Sequence, residues 1–262
     1  MHAKPKHLAT KYAEQFKDES IVTAYHNRPE YADALFPFLA EMTKGEPQKV
    51  LDVGCGLGHI ARPLTQFVAQ VDAVDFSEQM VAQGKQLKNG DASNLNWICA
   101  PIESAPVTPP YGLITAGQSL HWFDWDVVLP RFAELLVPDG YLVIVDRQFG
   151  STVWGAELKQ LIAQFSTNQD YEPYNLVNEL EKRQLFSKAG EKIMAQPKFT
   201  QSIDHYVEAM HSANGFSRER MAAENAQAFD EAVRNLVWSY VGKDRFETAV
   251  STTITWGIPK QH

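Results

Sequence analysis

The stretch that most constrains this chain is Lys49-Val-Leu-Asp-Val-Gly-Cys-Gly-Leu-Gly58. Val50, Leu51 and Val53 make a short apolar run of the kind found in parallel strands covered on both faces. The run ends in Gly54, Gly56 and Gly58, three glycines at alternate positions. Glycine there permits positive φ and lets a ligand touch bare backbone. A helix is expected at once over 60–69, so the free N–H groups of the loop and of the helix start face one crevice. Strand, glycine loop and helix form the opening unit of a doubly wound sheet, whose ligands bind at that loop.

The spacing narrows the ligand. A dinucleotide fingerprint reads G-x-G-x-x-G, whereas this loop is G-x-G-x-G preceded by Asp52. A second strand, Val71-Asp-Ala-Val-Asp75, closes on a carboxylate seventeen residues beyond Gly58. An acid at that place accepts hydrogen bonds from a ribose diol. Loop and acid together point to an adenosine-containing cofactor without a pyrophosphate. The plain alternative is a tight turn beside a solvated acid.

These residues, with Val-Asp-Ala-Val-Asp-Phe-Ser77, resemble the first two motifs of the Rossmann-like S-adenosylmethionine-dependent methyltransferases over residues 49–146. The resemblance implies S-adenosyl-L-methionine as cofactor, met by Asp52, Gly54, Cys55, Gly56, Gly58, Asp75, Phe76 and Met80. After the third strand (96–100), related enzymes carry an acid that reads the adenine amino group. Pro101 occupies that place here, Ile102 still offers a backbone N–H, and Glu103 is either a frequent family glutamate or a surface carboxylate. Upstream, Tyr25-His-Asn-Arg-Pro-Glu-Tyr31 is similar to a segment of trans-aconitate-type methyltransferases that closes over the cofactor. Arg28 would then meet the cofactor carboxylate and Tyr25 would place its ring near the sulfonium. Equally, the two residues would only fasten the N-terminal helices to the sheet.

The fourth strand, 112–116, runs into Gly117-Gln-Ser-Leu-His-Trp-Phe-Asp124. This string resembles the small-molecule branch of the same family. Gln118 and Ser119 would line the methionine half of the cofactor, and His121 and Trp122 the boundary with the methyl acceptor. His121 is the candidate general base, which a phenol, alcohol or amine acceptor would use and a carboxylate would not. The competing reading makes His121 and Trp122 core residues with backbone partners. A nucleophile elbow, G-x-S-x-G, needs a small residue where His121 stands.

The expected architecture is α/β: a doubly wound seven-stranded sheet, mostly parallel with a reversed last strand, and a helical lid after strand five. The expected division is an N-terminal helical cap (1–42), a Rossmann-like core (43–150), a helical substrate lid with an edge strand (151–240) and a C-terminal strand completing the sheet (241–262). Within it, Ser77 caps a helix, 126–136 is helical, 141–146 is strand five, and 151–192 is rich in helix. A strand at the sheet edge is expected over 199–203, a helix capped by Ser217 runs through Tyr240, and 250–256 alternates as the final strand.

Composition excludes several classes. Against 32 acids stand 24 Lys and Arg, a formal charge of −8, which disfavours nucleic acid as partner. No apolar run is long enough for a membrane span, and the start lacks the apolar core of a signal peptide, so a cytoplasmic location is expected. The eight histidines and two cysteines show no metal-ligand spacing, so no metal is expected. With the classes that remain, the resemblance implies a methyltransferase of a small molecule, by O- or carboxyl-methylation. An N or C acceptor and a non-catalytic cofactor-binding regulator remain as alternatives, and a nicotinamide dehydrogenase is disfavoured by the loop spacing.

Overall fold

Seven strands form the central sheet. The computed structural model describes residues 4–195 and 198–261. Strands β1 (Lys49–Val53), β2 (Gln70–Asp75), β3 (Leu95–Cys99), β4 (Tyr111–Gly117) and β5 (Leu136–Phe149) pair in parallel. The apolar runs of β1, β2 and β4 are covered on both faces, as central parallel strands require, whereas β3 at the sheet edge is partly exposed. Pairing of β5 with β4 shifts register between Tyr111 and Leu113, around Pro138-Asp-Gly140, where Asp139 takes φ 63°. The last strand, β9 (Val250–Pro259), is antiparallel to both β5 and β6 (Phe186–Ala195), which completes the order β3-β2-β1-β4-β5-β9-β6. The α/β class and the reversed last strand are as the sequence predicts.

Helices cover the sheet. On one side lie α3 (Leu35–Met42) and α4 (Ala61–Leu64), packed through Leu35, Leu39, Ala61 and Leu64. On the other, α6 (Trp125–Leu135) buries Trp125, Val128, Leu129 and Phe132. Helix α5 (Glu78–Gln86) starts where Ser77 caps it, its hydroxyl accepting the Met80 N–H. The N-terminal segment alternates short α and 3₁₀ turns, with α1 (Thr10–Ala13) and α2 (Glu19–Ala24), before the break at Arg28. Ile21 and Val22 pack with Leu57 and Met80, so this segment lies over the ends of β1 and β2.

Four expectations are corrected. The helix expected over 60–69 is regular only at α4; beyond Leu64 the backbone tightens to i→i−3 bonds at Gln66 and Phe67. Helix does not extend to 192: α7 (Gly155–Phe165) and α8 (Leu176–Lys182) are followed by β6. That strand is a charged sheet edge, and its lysines and glutamate disguise it as helix. Strand β7 (Phe199–Ser202) is not an edge of the main sheet but pairs with β8 (Arg245–Thr248) in a separate ribbon. Ser217 caps no helix; its hydroxyl donates to Asp18, and α10 (Ala223–Val241) starts after Ala222. With α9 (Ile203–His211), these elements enclose their own core around Phe216, Phe229, Val233 and Phe246.

Candidate functional site

The loop between β1 and α4 is the structural centre of the site. Gly54 and Gly56 take φ 63° and 54°, a region closed to most side chains. A Cβ on Gly54 would also stand 2.5 Å from the Ser119 Cβ. The loop is held from β2: Cys55 N–H donates to Val74 O, and Gly56 N–H donates to Asp75 Oδ2 at 2.7 Å. Asp75 Oδ1 accepts from Ser77 N–H at 2.8 Å. Burial raises the Asp75 pKa, and these backbone donors oppose the rise. A carboxylate offers about four acceptor positions, so these bonds leave capacity for a ligand.

Asp75 lines a cleft of ≈ 790 Å³ with Gly54, Phe76, Pro101, Ile102, Glu103 and Trp122. The N-terminal segment closes the opposite wall with Leu8, Thr10, Ala13 and Lys17. Lys17 Nζ sits 4.9 Å from the Phe76 ring centre, and Phe16 meets Trp122 edge-on at 5.5 Å. Lys4 donates to Phe123 O at 2.9 Å, and burial pulls its pKa down to about 8. The Glu103 carboxylate accepts the Asp124 N–H at 3.1 Å, tying the loop after β3 to the start of α6.

A second, smaller pocket of ≈ 20 Å³ lies at the ends of β1, β4 and β5. It gathers Tyr25, Arg28, Asp52, Cys55 and Gln118, all expected from sequence, with Tyr31, His59 and Arg147, which were not. The Arg28 guanidinium lies 3.8 Å from the Tyr25 ring centre and donates to Tyr25 Oη and Ser212 Oγ. Arg147 lies 4.1 Å from the Tyr31 ring centre and donates to His59 Nδ1 at 2.7 Å. Asp52 is buried, accepting from Thr115 Oγ1 at 2.9 Å and Ala61 N–H at 3.2 Å. Burial pushes its pKa up to about 7.

Other expected residues lie off these two spaces. Met80 is buried among Ile21, Val22 and Leu57, which makes it a packing residue. Ser119 is buried and donates to Val53 O at 2.6 Å, latching β4 to β1. A Cβ on Gly58 would meet Trp97 at 2.6 Å, so that glycine serves packing. The His121 ring meets that of Trp122 at 4.8 Å, tilted by 54°. Burial, with Lys4, Arg28 and His7 nearby, drives its pKa down to about 3, so its ring is neutral at pH 7. The signal for Arg147 was its place at the carboxyl end of a parallel strand, where doubly wound folds bind ligands. Among the described residues no cluster of His, Cys, Asp or Glu is arranged to hold a metal ion, and no helix is long and apolar enough to cross a membrane.

Comparison with known proteins bears on this geometry. Residues 51–144 match the family described as a methyltransferase domain. A ubiquinone biosynthesis O-methyltransferase of Bradyrhizobium diazoefficiens is 30% identical over 115 residues, covering 42% of this chain and 46% of that protein. The match thus spans less than half of that relative's length. An uncharacterized methyltransferase of Schizosaccharomyces pombe is 25% identical over 223 residues, covering 80% and 83%. A solved structure from Anaeromyxobacter dehalogenans, provisionally assigned as a type II methyltransferase, superposes with TM-score 0.61 at 21% identity over 89% of this chain and 99% of that one. That likeness concerns the fold.

Proposed function

We propose that this chain, whose residues 51–144 are a methyltransferase domain of Rossmann-like build, transfers a methyl group from S-adenosyl-L-methionine to a small-molecule acceptor. The observation that carries the reading is Asp75: a buried carboxylate fixed by Gly56 N–H, with acceptor positions to spare, on the wall of a ≈ 790 Å³ cleft. The residues fit the cofactor. Asp75 would take the ribose diol, Phe76 and Ile102 the adenine, and the loop from Gly54 the amino-acid tail. Arg28 supplies a cation for the tail carboxylate.

Bound there, the sulfonium supplies an activated methyl group to a nucleophile. The protein's own task is positioning and exclusion of water. Trp122, Phe16 and Tyr25 provide apolar surface beside the cleft, and the N-terminal segment covers it. His121, neutral at pH 7, would be a weak base there. Incubating the protein with S-adenosylmethionine and small carboxylic acids or phenols, and measuring S-adenosylhomocysteine, tests the reading. Binding without turnover on any acceptor class would leave a cofactor-binding module; no binding would refute it.

A further inference from the structure

Arg28 is held from outside the sheet. Its Nε–H donates to Ser212 Oγ at 2.8 Å and Nη2 donates to Ser212 O, while Nη1 donates to Tyr25 Oη at 2.9 Å. Two of these three bonds end on one residue, 184 positions along the chain, directly after α9. Burial, with Arg147 nearby, works against the charge of Arg28, and among the described residues it makes no ion pair. Its hydrogen-bond acceptors therefore matter more than they would at a surface.

Ser212 suits that part. It is 1% exposed, and its hydroxyl donates to Ala209 O, which leaves the oxygen's lone pairs to accept from Arg28. Its carbonyl lies at the C-terminal end of α9, where unpaired carbonyls and the helix dipole favour a cation. The second core fixes this end in turn. His211, the last residue of α9, is fully buried, with its ring nitrogens 2.8 Å from Phe216 O and 2.6 Å from Asp230 Oδ1. Asp230 Oδ2 accepts from Arg218 at 3.0 Å, so the last turn of α9 is tied to α10.

A guanidinium is a rigid plane with two forked edges. With the Nε–Nη2 edge on Ser212, the plane of Arg28 is set, and donors remain on the Nη1–Nη2 edge. Arg28 lines the smaller pocket beside Gly54, Cys55 and Gln118, at the loop proposed to meet the amino-acid tail of the cofactor.

Resting on the function proposed above, we infer that Ser212 is a positioning residue for the cofactor: it holds one edge of Arg28 and so aims the guanidinium at the carboxylate of the tail. Cofactor recognition is then divided between the sheet, which meets the ribose through Asp75, and the second core, which acts on the tail through α9.

The test titrates the full chain with S-adenosylhomocysteine and with 5′-methylthioadenosine, the same nucleoside thioether without the amino-acid tail. Ser212→Ala should bind S-adenosylhomocysteine about tenfold more weakly, the effect of losing a hydrogen bond to a charged group, and 5′-methylthioadenosine within about twofold of the wild type. Ser212→Thr keeps the hydroxyl and should restore the affinity for S-adenosylhomocysteine. Arg28→Gln should also weaken S-adenosylhomocysteine alone, and adding Ser212→Ala to it should cost nothing further, because the serine acts through the arginine. Equal weakening of both nucleosides by Ser212→Ala, as a purely structural residue would give, would overturn the inference. So would unchanged affinity for S-adenosylhomocysteine, or a full further loss in the double variant. If Arg28→Gln binds S-adenosylhomocysteine as the wild type does, the inference falls while the proposed function stands. A wild type that binds neither nucleoside would refute the proposed function and this inference together.

Discussion

Asp75 accepts from the Gly56 and Ser77 N–H groups and lines the cleft. Asp75→Ala should weaken S-adenosylhomocysteine binding by about 1–3 kcal/mol, the cost of leaving a buried diol unpaired. Calorimetric titration measures it, and equal affinities would refute the ribose assignment. His121 makes a prediction about pH. Its folded pKa of about 3 lies below the ordinary 6.5, so between those values the unfolded chain holds a proton that the folded chain does not. Stability supplied by the neutral ring is full above pH 6.5 and is lost as pH falls through that window. His121→Gln should therefore lose unfolding free energy less steeply than the wild type between pH 6.5 and 4, as read by urea denaturation at each pH. The glycines and Asp75 were legible because their chemistry is local spacing. Arg147 and His59 were not, since 88 residues separate them and only the order of strands brings them together.

The N-terminal segment was legible as helix but not as a chain of short turns. The spacing of four at Leu8, Tyr12 and Phe16 is an α-helical period and carries no mark of the 3₁₀ turns at Glu14–Lys17 and Tyr25–Asn27. Short helices with few bonds of their own draw their stability from such contacts. Asp18 supplies one, accepting from Ser217 Oγ and from Arg220 at two positions and so joining this segment to the region after β5. Cofactor binding should slow hydrogen exchange in residues 8–24 more than in β9, as followed by mass spectrometry. Equal protection of both would show that the segment does not cover the bound ligand. Strand β6 was misread for a different reason: on a sheet edge one face meets solvent, and charged residues there carry no period that separates strand from helix.

At the scale of the molecule, the seven-stranded sheet with its covering helices is packed as one region, and the helices around the β7–β8 ribbon enclose another core. The parallel core was legible because its strands are apolar runs bounded by glycine and proline. The second core was not, because its strands β7 and β8 lie 43 residues apart in sequence at their nearest register pair, Ser202 and Arg245. Phe229 is its fully buried centre, in ring contact with Phe165, His211 and Phe216. Phe229→Ala should cost about 3–5 kcal/mol of stability in urea unfolding. A loss below about 1 kcal/mol would mean that this region is not a packed unit. The central claim concerns the glycine loop and its aspartate, and calorimetric titration of the folded protein with S-adenosylmethionine tests it most directly. Saturation at one site per chain, weakened in Asp75→Ala, is the predicted result. No heat of binding at millimolar ligand, from protein whose circular dichroism shows it folded, would contradict it.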